Sequence, residues 1–171
     1  MDFRIFEGDT DLFAIEINVS LQSSPRWIYG TLFFWLEGTR IGDPYDSVDL
    51  RGATNWLRDF SKEKKKFEES KLFYLSLDSA FEVLMSRYVG YEVPEIARGI
   101  ERISRFSIDY LGMSSFNTTP LFLVANNVGL QRCIWKEKGG GICQAFYDSP
   151  VMQEVASKVV SKFEGEFGYG C

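Results

Sequence analysis

The 171-residue chain contains no histidine. That absence excludes Ser-His-Asp and Cys-His nucleophile sites, and every metal site built on imidazole. Carboxylate and lysine chemistry stay open. Cysteine is scarce: Cys133, Cys143 and Cys171 are odd in number and show no framework spacing. Reduced thiols in a cytoplasm are therefore the expectation. Long apolar runs are missing as well. The longest, at 32–36, is far short of the ~20 residues that a membrane span needs. The opening MDFRIFEGDTD carries acids early and has no apolar core, so no signal peptide is expected. Basic residues are outnumbered, 19 against 24 acids, giving a net charge of −5. This balance argues against nucleic acid, whose phosphates attract Lys and Arg. It fits either plain solubility or a basic protein partner.

Aromatic residues are abundant, at 16% of a chain that is 45% apolar. This supplies a sizeable core for one domain spanning 1–171. The stretch WIYGTLFFWLEG at 27–38 concentrates them. Side chains of a strand alternate between faces. Trp27, Tyr29, Phe33 and Trp35 therefore share one face, and Ile28, Leu32, Phe34 and Leu36 the other. Both sets are apolar. Either this chain covers both faces, or some aromatics wait for a partner.

The remaining pattern is that of an α+β domain. Phe13, Ile15, Ile17, Val19 and Leu21 alternate with Ala14, Glu16, Asn18 and Ser20, which predicts a half-buried strand. QSSPR at 22–26 reads as a loop. The strand at 27–37 follows, and Gly38 turns the chain into a short strand at 39–42. Ser47 or Asp46 is the expected N-cap of a helix bearing Leu50, Ala53, Leu57 and Phe60, with Asp49 in its first turn. The charged run at 61–70 continues or leaves that helix. Leu77, Phe81, Leu84, Met85 and Tyr88 predict a second helix, capped by Ser76 or Asp78 and ended by Gly90. Pro94 opens an ambiguous stretch. Strands are expected at 105–110, 121–125, 130–136 and 142–147, with turns at ANNVG and KGGG. Ser149 and Pro150 open a closing helix with Met152, Val155, Val159 and Phe163 on its apolar side. Residues 164–171 read as a flexible tail. The expected architecture is mainly antiparallel sheet, with helices packed mostly on one face.

No reactive constellation emerges. The glycines at 139–141 lack the Lys-Ser or Lys-Thr of a phosphate loop and sit between strands, as in a hairpin turn. Two cysteines without further ligands make no zinc site. Asp43, Asp46 and Asp49, with Tyr45 among them, lack the Ca²⁺-loop pattern. Capping and turn roles, or partner contact, account for them.

Several of these patterns resemble one family. They are the strand Phe13–Glu16, the aromatic strand with Tyr29, Gly30, Leu32, Phe34 and Trp35 leading to Gly42 and Asp43, the pair Arg105 and Phe106, and the pair Ile134 and Trp135. Together they resemble the Immunity protein 42 family of bacterial polymorphic toxin systems, which serve contact-dependent growth inhibition. The resemblance runs from about Phe13 into the closing helix and leaves 61–70 and 91–103 unmatched. It implies a cytoplasmic, non-enzymatic protein without cofactor or metal. Such a protein binds and neutralises a cognate toxin domain, often a nuclease, by blocking its active site or substrate access. A nuclease site is basic, so Asp43, Tyr45, Asp46 and Asp49 are the candidate partner-binding residues, their acids standing in for phosphates. Two other readings stay open. One is an intracellular adaptor domain with no toxin partner. The other is an enzyme using carboxylates or lysine, which requires a deep pocket with convergent acids.

Overall fold

A computed structural model describes residues 3–24, 27–86, 94–100, 102–108, 119–137, 139–148 and 150–168. The chain is α+β, with two antiparallel sheets and helices. It divides into two compact units.

The first unit holds β1 (Phe3–Gly8), β2 (Phe13–Ser24), β3 (Trp27–Leu36), β4 (Thr39–Ile41), β5 (Val48–Asp49), helix α1 (Leu50–Lys62) and helix α4 (Val151–Phe167). Its strands pair in the order β1-β2-β3-β4, and β5 also pairs with β3. The register sets Ile15 opposite Phe34 and Ile17 opposite Leu32. It equally sets Glu16 opposite Phe33 and Asn18 opposite Thr31. One face therefore collects Ile5, Phe13, Ile15, Ile17, Leu32, Phe34 and Leu36, all buried. Helices α1 and α4 cover it. Phe34 stacks on Phe13 and meets Trp56 of α1 edge-on, each pair with centroids 6.2 Å apart. Phe3 meets Phe167 of α4 at 5.3 Å. Burying a phenylalanine completely contributes about 1.5–3 kcal/mol, so this aromatic column stabilises the unit substantially.

Gly30 makes the close approach of β2 and β3 possible. A Cβ there would lie 2.0 Å from the Asn18 carbonyl oxygen and 2.8 Å from Leu50 Cδ1. Just beyond, Ser20 is the extra residue of a bulge between the pairs Val19–Gly30 and Leu21–Tyr29.

Several boundaries differ from the sequence expectation. Strand β2 runs on to Ser24, into the segment expected as a loop. Strands β1 and β5 were not expected; each is too short or too charged to show a full alternation. The cap of α1 is Asp49, with neither Ser47 nor Asp46 in that place. Pairing of Val48 and Asp49 with Gly30 and Tyr29 keeps the chain extended to Asp49, so the helix starts only at Leu50. Helix α4 continues through Phe167, into the segment expected as a flexible tail. Arg51 donates from both terminal nitrogens to the carbonyls of Phe167 and Gly168, each at 3.0 Å, and satisfies the helix end.

The second unit holds the sheet β6 (Leu121–Ala125), β7 (Leu130–Lys136) and β8 (Ile142–Asp148), with helices α2 (Ser70–Phe73) and α3 (Leu77–Ser86). Leu72, Phe73, Ala80, Val83, Leu84, Phe106, Phe122, Val124 and Ile134 form its core. The expected caps and turns appear. Ser76 Oγ accepts from the Ser79 amide at 3.2 Å. Asn126 Oδ1 accepts from the amides of Val128 and Leu130, which closes the β6–β7 turn. The strand expected at 105–110 does not form over its described part. Ile103–Phe106 is a single 3-10 turn, and only Ser107 bridges to Phe122. Arg105 explains the local choice: its guanidinium reaches the Glu68 carbonyl at 3.1 Å and the Glu69 carboxylate at 3.6 Å. The expected Gly90 helix end and Ser149 cap lie outside the described residues.

Candidate partner-binding surface

The face of the first sheet turned away from α1 and α4 carries the odd-numbered side chains of β3. Its centre is Glu16, only 5% exposed. The Glu16 carboxylate accepts from Asn18 Nδ2 and Trp35 Nε1, both at 3.0 Å, and pairs with Arg4 Nε at 3.2 Å. Burial pushes its pKa up. The Asn18 and Trp35 hydrogen bonds and the Arg4 and Arg40 charges outweigh that, leaving it below the ordinary glutamate value. A carboxylate held ionised and saturated with donors is a poor general base. It serves as the anchor that orders the ring of Trp35. Arg40 lies with its guanidinium 4.3 Å from the centroid of Phe33 and 5.9 Å from that of Trp35. At the end of β3, Trp27 stacks on Tyr29 with centroids 6.3 Å apart and planes within 6°.

The four residues singled out from the sequence fall on the β4–β5 side of β3. Residues 43–46 form a turn in which the Asp46 amide donates to the Asp43 carbonyl at 3.1 Å. Asp43 Oδ1 accepts from the Tyr45 amide at 2.9 Å, which orders the turn. Pro44 holds the position where its fixed φ suits the bend. Tyr45 is 94% exposed at the apex. Asp49 stands apart from this group. Its two carboxylate oxygens accept from the amides of Arg51 and Gly52 at 3.1 and 3.2 Å and cap α1. The structure thus gathers Asp43, Tyr45 and Asp46 in one turn and assigns Asp49 a structural bond. Sequence reasoning missed Glu16, Arg4 and Arg40 as a group. The signal was Glu16 inside an apolar alternation, yet Arg4, Trp35 and Arg40 come from three other strands that only register brings to it.

Other features are structural. A cavity of about 100 Å³ lies among Arg51, Thr54, Asn55, Arg58, Phe163, Glu164 and Gly168. Its cations are committed: Arg58 pairs with Glu164 and donates to Asn55 Oδ1, and Arg51 holds the end of α4. Burial raises the pKa of Cys133, and burial with the Glu137 charge raises that of Cys143, so both thiols stay protonated at neutral pH. The glycines at 139–141 close the β7–β8 turn, with Gly140 donating to the Glu137 carbonyl at 3.0 Å. Among the described residues no cluster of three or more His, Cys, Asp or Glu is placed to hold a metal. No helix of the described residues is long and apolar enough to cross a membrane.

The family model described as Immunity protein 42 matches residues 5–163. The chain belongs to the Immunity protein 42 family. No curated protein and no solved structure matches it. The matched span starts in β1 and ends in α4, so the family pattern includes both sheets and the turn at 43–46. An immunity-protein family implies a toxin protein as partner. In this member of the family, the surface just described offers aromatic rings, ordered by hydrogen bonds and stacking, beside an acidic turn.

Proposed function

We propose that this chain is a cytoplasmic immunity protein that neutralises a cognate bacterial toxin domain by binding it, blocking its active site or its access to substrate. The family match over residues 5–163 carries this reading. The toxin domain is a nuclease with a basic active site, in a contact-dependent inhibition or other polymorphic toxin system. The inhibitor's net charge of −5 suits such a partner, because complementary charge speeds encounter and excludes wrong partners. Asp43, Tyr45 and Asp46 contact the toxin directly, and Asp49 supports them by fixing the start of α1. No catalysis by the immunity protein is involved.

The test is growth rescue. The toxin domain encoded directly upstream is expressed with and without this chain, and the purified pair is titrated by calorimetry. Rescue with a 1:1 complex is expected. Persistent toxicity, with the chain soluble and expressed, would overturn the reading. Charge reversal of Asp43 and Asp46 together is expected to weaken the complex at least tenfold. An unchanged affinity would remove the acidic turn from the interface.

A further inference from the structure

We infer that Trp27, Tyr29 and Tyr45 form a docking edge that receives arginine and lysine side chains of the toxin domain, with Asp43 and Asp46 as its acidic border. The inference rests on the immunity-protein reading and deepens it by naming the surface and the chemistry of its partner. Trp27 and Tyr45, at 53% and 94% exposure, are the exposed aromatic residues of the first unit among those described. The even residues of β3 are spent on the core, whereas Trp27 and Tyr29 point to the other face. Their rings lie nearly parallel, so the pair already has one orientation and loses little entropy on binding. Ordered Trp and Tyr are the residues on which protein interfaces concentrate their affinity.

Position joins the pair to the turn. Strand β5 sets Asp49 opposite Tyr29 and Val48 opposite Gly30. Strand β4 ends at Ile41, opposite Phe34. Residues 42–47 therefore run along the edge of β3 between these two pairings. From 42 to 49 the sequence GDPYDSVD has three aspartates and no basic residue. Arg51, the next cation along the chain, is held on the carbonyls of Phe167 and Gly168. The edge is thus aromatic and anionic, which selects a cationic partner.

The same sheet face shows how such a partner is taken. Arg40 already lies over Phe33 and Trp35. A guanidinium is drawn to the negative face of an aromatic ring, most strongly that of tryptophan. An arginine from the toxin domain finds aromatic faces at Trp27 and Tyr29, with Asp43 and Asp46 taking the part that the Glu16 carboxylate takes for Arg40.

The test titrates the uniformly ¹⁵N-labelled full chain with a capped hexa-arginine peptide at physiological salt, with hexa-glutamate as control. The indole signals of Trp27, Trp35, Trp56 and Trp135 are assigned by single Trp→Phe variants. Expected are shifts of the Trp27 indole and of the amides of Tyr45 and Asp46 with hexa-arginine alone. The double variant Trp27→Ala, Tyr45→Ala should weaken the peptide at least fivefold while keeping the remaining spectrum. Shifts centred elsewhere, no shifts, or an unchanged affinity in the double variant would overturn the inference. The same double variant should weaken the upstream toxin domain at least tenfold. If the wild type binds that toxin and the variant binds equally, the edge is wrong and the immunity reading stands. If the wild type ignores the toxin, the immunity reading falls, and the peptide titration still decides the edge.

Discussion

The two sheets treat a charged residue in opposite ways. In the first sheet Glu16 lies on the face that α1 and α4 leave uncovered, and it is met by a partly exposed tryptophan and an exposed arginine. In the second sheet every residue of β6 is buried, as are residues 131–135 of β7, so these stretches are closed on both faces, whereas Phe146 of β8 is exposed. Arg132 lies inside this sheet, 3% exposed. Among the described residues no carboxylate pairs with it. Its guanidinium donates to the Phe73 and Leu75 carbonyls at 2.8 and 2.7 Å and to Gln144 Oε1 at 2.9 and 2.7 Å. Burial lowers its pKa, though it stays charged at neutral pH. The carbonyls come from the end of α2, where the helix leaves acceptors open and its dipole favours a cation. A buried charge is tolerated where neutral acceptors surround it. Glu16 is just as buried, at 5% exposure, but beneath side chains that pair with it, so its charge is met by donors and an opposite charge.

This contrast predicts a ranked set of effects. The largest belongs to Arg132→Ala. It strips three acceptors of their donor and leaves a cavity, and the expected cost is about 3–5 kcal/mol in urea unfolding. A loss below about 1 kcal/mol would show that water replaces the guanidinium and that the second sheet is less closed than described.

Glu16→Gln should cost less, about 1–2 kcal/mol at neutral pH, because shape is kept while the charge and one of the two acceptor oxygens are lost. The pH dependence identifies the cause. The folded-state pKa of Glu16 is depressed, so its contribution is complete above the unfolded value and disappears as pH falls through the folded one. Wild-type and variant stabilities should therefore differ at neutral pH and converge on acidification below the ordinary value of 4.5. A constant difference down to low pH would assign the loss to packing.

The smallest effect is expected from Asp49→Ala, about 1 kcal/mol for a lost N-cap. Hydrogen exchange should locate it in the first turn of α1. If toxin affinity falls while the α1 amides keep their protection, Asp49 is a direct contact as well as a cap.

Local pattern made much of the fold legible. The alternation at 13–19 marks β2, the Asn and Gly at 126–129 mark a turn, and the spacing of Leu50, Ala53, Leu57 and Phe60 marks α1. The misses share one cause. Strand β5 is two residues long and exists because β3 offers it a ladder, and that pairing moves the helix cap to Asp49. Ser107 satisfies the alternation expected of a strand with a single bridge, after a turn held by Arg105. At the candidate site the turn residues were legible, since Asp43, Pro44 and Tyr45 carry their bend in their own chemistry. The group around Glu16 was not, because its members lie on different strands.

By itself the sequence determined which side chains of β3 stand together. The period of two is a property of the backbone and needs no neighbour. It also determined the acidity of 42–49 and the absence of imidazole chemistry. Which aromatic set became core was a tertiary decision. Both sets are apolar enough to be buried. Pairing of Phe34 with Ile15 and of Phe33 with Glu16 aligned the even set with the apolar face of β2, where two helices cover it. The odd set was left beside Glu16 and Asn18, on the face whose charges are balanced locally; there Phe33 is buried with Arg40 over its ring, and Trp27 is exposed.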